Sequence, residues 1–210
     1  MDNMSILWEL ENAAKKRGYQ FICGCDEAGA GPLAGPVYAA AVILPDGFTL
    51  PWLNDSKQVT PKRRDMLFEQ IQNDAVAWAV ASVSPEEIDK IDILNARIKA
   101  MQDAINALSP APDYALVDGN RDHGTLHTIS TPHETAVRGD SRSASIAAAS
   151  ILAKVSRDRF MEKMAEEYPA YRFDKHKGYG TKLHYELLDM YGPSPIHRKS
   201  FLKKWEARQG

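Results

Sequence analysis

"YQFICGCDEAGAGPLAGPVYAAAVIL", residues 19–44, sets two apolar runs on either side of a turn rich in glycine and proline, with an acidic pair, Asp26-Glu27, where the first run ends. Apolar runs of this length bounded by Gly and Pro read as buried strands, here 19–25 and 36–44. Consecutive residues of a strand point to opposite faces, so both carboxylates serve one site only if the strand ends there and the backbone turns. Gly29, Gly31 and Pro32 supply that turn. The alternative is a solvated acidic turn with no task.

Outward from this stretch, strands and helices alternate. "AVAWAVASV" (75–83) reads as a third strand, and "TPKRRDMLFEQIQND" (60–74) before it as a helix with Thr60 as N-cap and Pro61 at its first position. Residues 84–108 read as helical, opened by "SPEE" with its N-cap, proline and third-position glutamate. "YALVDGN" (114–120) is a short buried strand, and "LHTIST" (126–131) or "ETAVRG" (134–139) supplies another. "SASIAAASILAKVSRDRFMEKMAEEY" (143–168) is a long helix whose small residues let it lie close on a sheet. "TKLHYELLDMYG" and "HRKSFLKKWEARQ" form two more helices joined by "PSPI", and residues 4–17 form an amphipathic helix that packs on the domain. This is an α/β domain. Without repeats or a linker, residues 1–210 are expected to form one domain, with about 180–210 as a helical extension.

Composition bounds the function. With 210 residues, 44% hydrophobic and a net charge of −2, the chain has a core and no overall basic coat, so a nucleic-acid partner must be held by a local patch or by cations. Cys23 and Cys25, two apart on a strand, are poorly placed to bridge each other and fit a reducing, cytoplasmic setting. No run of 18 apolar residues and no signal-peptide core occurs, so no membrane role is expected. Monomer is the default.

Asp118 in "LVDGN" closes a second buried strand, though Asp-Gly is also a turn signal. Asp140 in "VRGDSRS" precedes the small-residue helix, where an aspartate is a natural N-cap. Ligands gather at strand ends in open α/β sheets, which points all four acids at one place. Four hard oxygen ligands without a histidine or thiol cluster suit two Mg²⁺ or Mn²⁺ ions, which stabilise the entering and leaving oxygens of a phosphodiester hydrolysis. No phosphate-binding loop of the G-x-x-x-x-G-K-[ST] type, no H-E-x-x-H and no G-x-S-x-G elbow is present.

"DEAGAGPLAGPV", "LNDSKQVTPKRR", "VDGN", "GDSRSASIAAASILAKVSRDR", "HKGYGTKLH" and "GPSPIHRKSF" resemble, in order and spacing, the motifs of bacterial ribonuclease HII across residues 19–205. The resemblance implies a ribonuclease H-like fold, a mixed central sheet flanked by helices with a C-terminal helical extension. It implies divalent-metal-dependent cleavage of RNA in RNA–DNA hybrids and incision 5′ of ribonucleotides embedded in duplex DNA. It makes Asp26, Glu27, Asp118 and Asp140 the metal-binding catalytic carboxylates, places Lys57 near substrate phosphate, and sets Tyr179 against the sugar at the RNA–DNA junction. Lys177 and Arg198, with His176, Lys199, Lys203 and Lys204, are expected to form a basic strip backed by Phe201 and Trp205, the alternative being a solvated helix face.

One position departs from that family's pattern. Its usual Gly-Arg-Gly is Gly29-Ala30-Gly31 here, which keeps close backbone approach to a ribose 2′-OH and removes a guanidinium. A catalytically idle hybrid-binding module is therefore a rival, as is a phosphatase of small molecules. The related ribonuclease HIII carries an extra N-terminal substrate-binding domain, for which residues 1–18 leave no room. No clamp-binding motif ends the chain.

Overall fold

A computed structural model describes residues 7–49 and 60–208. Five strands form one mixed sheet in the order β3-β2-β1-β4-β5: β1 Ile22–Ala28, β2 Val37–Ile43, β3 Ala77–Val83, β4 Tyr114–Asp118 and β5 His133–Ala136. The pairs β1–β2 and β2–β3 are antiparallel, whereas β1–β4 and β4–β5 are parallel. Of the two candidates for the last strand, "ETAVRG" overlaps it, the strand beginning one residue earlier and ending at Ala136.

Helices cover both faces. On one face α3 (Pro85–Ile91) and α4 (Ile93–Asn106) lay Ile88, Ile98, Met101 and Ile105 against Cys23 and Cys25 of β1 and Val37 and Ala39 of β2. On the other, α2 (Pro61–Asp74) and the long α5 (Ala144–Glu167) bury Leu67, Phe68, Ile71, Ala147, Ala148 and Ile151 against Ala40 and Val42. The alternation of β1 is thus legible in its partners: odd positions face α4, even positions face α5. Gly24 shows how near α5 comes, because a Cβ there would lie 2.1 Å from the backbone of Ser145 and Ile146. Both cysteines are free and buried.

Three local readings need correction. Residues 84–108 are two helices, because Asp92 takes φ 66°, ends α3 and accepts a hydrogen bond from Asn95 N at 2.9 Å to open α4. Asp140 does not cap α5: Ser143 Oγ accepts from Ile146 N at 3.0 Å, and Asp140 lies in a short 3₁₀ turn, Gly139–Ser141. β1 does not stop before the acidic pair but runs through it to Ala28. The other capping expectations hold, with Thr60 accepting from Arg63 N and Ser84 from Glu87 N.

The N-terminal helix α1 (Glu9–Lys16) buries Leu10 and Ala14 on the domain, and its buried Glu11 accepts hydrogen bonds from Ser143 Oγ and Ser145 N at the start of α5. The C-terminal part comprises α6 (Phe173–His176), α7 (Lys182–Tyr191) and α8 (Lys199–Glu206). No helix among the described residues is long and apolar enough to cross a membrane.

Candidate active site

The site forms where the parallel strands β1 and β4 end side by side. Cys25 pairs with Val117, so one step further along both strands sets Asp26 beside Asp118. Beyond β5 the 3₁₀ turn brings Asp140 to the same place, anchored by the Gly139 N–H, which donates to Asp118 Oδ1 at 2.7 Å. Asp26, Glu27, Asp118 and Asp140 all line one cleft of about 500 Å³, together with Ala28, Gly29, Arg64, Ser150, Ile151, Lys154 and Tyr179. Asp26 and Glu27 do leave opposite faces of β1, as strand geometry demands, yet both reach the cleft because it opens across the strand's end.

Electrostatics mark this cleft. Burial, and then the charges of Glu27, Asp118 and Asp140, push the Asp26 carboxyl well above the usual carboxylate range. Burial also raises Glu27, opposed by the Arg97 guanidinium and reinforced by Asp118. Arg97 Nη2 lies 2.5 Å from Glu27 Oε1. A desolvated carboxylate cluster of this kind is stable as anions only beside a compensating cation. The donors are all hard oxygens, which fits Mg²⁺ or Mn²⁺ in kind. Among the described residues no three acidic, imidazole or thiol groups already converge as a closed metal cage, and Glu27 is engaged by Arg97 instead.

The glycine-rich turn is held from beneath by two fully buried arginines. Arg198 donates to the carbonyls of Gly29 (2.6 Å), Ala30 (2.9 Å) and Gly35 (2.9 Å); Arg157 donates to those of Ala34 (3.1 Å) and Pro36 (3.2 Å). Gly29 is required here: its φ is +94°, and a Cβ would lie 2.1 Å from Arg157 Nε. Gly31 is open around its Cα, and Ala30 is partly exposed.

The predicted basic strip is reduced to Lys199, Lys203 and Lys204, which are exposed on α8. Arg198 and His176 are interior, Arg198 because three carbonyls of the turn satisfy its guanidinium where water cannot, and Lys177 Nζ is engaged by Glu162 at 2.8 Å and the Asp174 carbonyl at 3.1 Å. Lys57 lies outside the described residues. Tyr179 is 43% exposed on the cleft wall, its ring beneath Arg157 and Lys154. Sequence reasoning missed Arg97, Arg157, Arg64 and Lys154. Arg157 stands in the quoted "SRDR", but nothing in a sequence distinguishes a basic residue that faces water from one that turns inward.

Comparison with known proteins agrees with this geometry. Residues 23–204 match the ribonuclease HII family. A ribonuclease HII of Caldicellulosiruptor saccharolyticus is 52% identical over 196 residues, 93% of this chain and 94% of the relative. Among solved structures, ribonuclease H2 from Pyrococcus horikoshii superposes with a TM-score of 0.73 at 26% identity, covering 90% of this chain and 98% of that one. The ribonuclease HII in a complex with PCNA from Archaeoglobus fulgidus also gives 0.73 at 26% identity, covering 86% and 94%.

Replacing Arg198 by methionine keeps the stem but orphans three carbonyls. The expected cost is about 3 kcal/mol or more, read as a lower urea midpoint. A loss under about 1 kcal/mol would show that the guanidinium does not hold the turn.

Proposed function

Because the chain belongs to the ribonuclease HII family, we propose that its carboxylate cleft incises the phosphodiester 5′ of a ribonucleotide, using Asp26, Glu27, Asp118 and Asp140 to hold two divalent cations. The chain is a ribonuclease H endonuclease, a hydrolase of the RNA strand of RNA–DNA hybrids. What supports the finer reading is the meeting of the four acids in one cleft with Tyr179 on its wall.

When bound, Mg²⁺ or Mn²⁺ supplies charge stabilisation to the entering and leaving oxygens of an in-line displacement. The chain's own residues do the rest. The four carboxylates would provide the negative charge that draws cations into the cleft, and Arg97 favours the ionised form of Glu27 against its burial. Water adds its oxygen to phosphorus, the bond to the 3′-oxygen breaks, and that oxygen takes a proton, leaving 3′-OH and 5′-phosphate ends. The turn of Gly29, Ala30 and Gly31 brings bare backbone to the ribose 2′-OH, while its carbonyls stay turned toward Arg198. Tyr179 offers its ring face to the neighbouring deoxyribose. Lys154 and Arg64, on the same cleft, are the cations nearest to substrate phosphate, with Lys57 as a further contact.

On this proposal residues 1–210 act as one catalytic domain, monomeric and cytoplasmic, on RNA–DNA hybrids and on duplex DNA with embedded ribonucleotides. The archaeal relative solved with PCNA makes a sliding clamp a candidate partner.

Asp118→Asn keeps the shape and removes one charge. It should abolish nicking of a duplex containing one ribonucleotide, in Mg²⁺ and in Mn²⁺, while the melting temperature without metal stays equal or rises. Near-normal nicking would overturn the assignment.

Ala30 sits where ribonuclease HII usually has arginine, so the chain lacks one charge-assisted contact to phosphate. Ala30→Arg should raise cleavage at a single embedded ribonucleotide by about tenfold, and less on a continuous hybrid that offers many registers. Equal rates for both chains on both substrates would mean that the glycine backbone alone reads the 2′-OH.

A further inference from the structure

Behind Tyr179 lie three buried histidines that the catalytic reading does not use: His176, His184 and His197. Their hydrogen bonds fix where every proton must be. The Ser194 N–H can only donate, and it points at His197 Nδ1 from 2.9 Å. A neutral His197 therefore carries its proton on Nε2, which lies 2.9 Å from His184 Nε2. Two N–H groups cannot face each other at that distance, so His184 accepts there and carries its proton on Nδ1. That proton is donated to the Tyr179 carbonyl at 2.9 Å. His176 is set the same way: the Gly178 N–H donates to its Nδ1 at 3.2 Å, and its Nε2–H donates to the Tyr171 carbonyl at 2.8 Å.

We propose that His197 and His184 form a proton-ordered relay, with His176 stacked upon it, that positions the Tyr179 loop for substrate recognition. The proposal rests on the reading of Tyr179 as a contact to the substrate sugar. Position, not catalysis, is the task, because none of the three rings lines the cleft.

The loop needs such support. Lys177 and Gly178 take φ of 49° and 84°, a region where a lysine is strained, so the bend persists only if its surroundings hold it. The relay grips the loop at the Tyr179 carbonyl and His176 at the Gly178 N–H, while the Leu33 N–H donates to the Gly178 carbonyl at 2.8 Å. The relay's far end is tied to the glycine-rich turn, because the Gly35 N–H donates to Ile196 O and Arg198 follows His197 directly. One chain of hydrogen bonds thus sets the ring that meets the sugar in register with the turn that meets the 2′-OH. His176 and His184 stack with centroids 4.1 Å apart, and Phe173 meets His184 edge-on, so the chain is flanked by aromatic rings. Burial pushes His184 down to about 4 and His197 to about 3, and lowers His176 as well, which favours the uncharged form of each ring.

Two measurements test this. The first is nitrogen-15 spectroscopy of the histidines in the full chain at neutral pH, without substrate. The expected result is protons on Nε2 of His176 and His197 and on Nδ1 of His184. Averaged tautomers, or any other assignment, would overturn the relay.

The second is steady-state cleavage of a one-ribonucleotide duplex by His184→Phe and His184→Asn, each in the parent and in a Tyr179→Ala background. Phenylalanine keeps the stack and loses both hydrogen bonds, whereas asparagine keeps a donor near Nδ1. His184→Phe should raise KM about tenfold with kcat nearly unchanged, His184→Asn should restore most of the loss, and in the Tyr179→Ala background His184→Phe should add less than about twofold. An equal loss in both backgrounds would overturn the positioning role and leave only general support of the fold. Should His184→Phe fail to melt cooperatively, the asparagine variant and the tautomer assignment still decide. An unchanged KM for Tyr179→Ala would instead overturn the substrate reading of Tyr179 and the relay's recognition task with it, while the spectroscopy would judge the relay's existence separately.

Discussion

The parallel register of β1 and β4 sets Asp26 beside Asp118, and this crowding of carboxylates in a partly desolvated cleft is the constraint on which the site depends. Burial and like charge both favour protonated acids, so a cation that keeps them ionised is bound more strongly than an exposed cluster of the same charge would bind it. Folding creates that cost and cation binding relieves it. Arg97 does part of this for Glu27 alone, which explains a guanidinium with a buried, unpartnered Nε beside the cleft.

A second set of cations works on the backbone. Arg157 and Arg198 lie beneath the turn from Gly29 to Pro36 and spend their donors on its carbonyls, which leaves the other side of the turn to face a ligand. Burying a guanidinium is costly, and burial lowers the affinity of both for their protons. The carbonyl bonds offset that cost and fix a segment that contains three glycines and would otherwise be loose. The shape of this turn therefore depends on residues far apart in the chain, with Arg198 bonded to Gly29 across 169 positions.

The sheet and its helices were legible where a local rule acts alone. The apolar run before Asp118 marked a strand end and the one before Asp26 a strand that runs only to Ala28, Thr60 and Ser84 marked helix starts, and the alanine-rich stretch of α5 foretold close packing that Gly24 completes. Reading failed where two rules competed. Asp140 and Ser143 are equally good caps three residues apart, and only the turn after β5 decides between them. Asp92 sits inside a continuous helical pattern, and its positive φ leaves no trace in composition. Arg198 belongs to a basic segment whose apparent exposure is reversed by carbonyls contributed from the other end of the chain. The three histidines were scattered over 21 positions, and no spacing rule joins rings brought together by tertiary packing. The meeting of the four acids in one cleft was readable because resemblance and strand-end logic pointed to the same four residues.

The most direct measurement is anomalous diffraction from crystals of the chain soaked in Mn²⁺ with an uncleavable ribonucleotide-containing duplex. The account predicts manganese peaks in the cleft ligated by carboxylate oxygens of Asp26, Glu27, Asp118 and Asp140, with Glu27 released from Arg97. Manganese bound only elsewhere, or a cleft in which Glu27 remains paired with Arg97 and no peak appears, would contradict it.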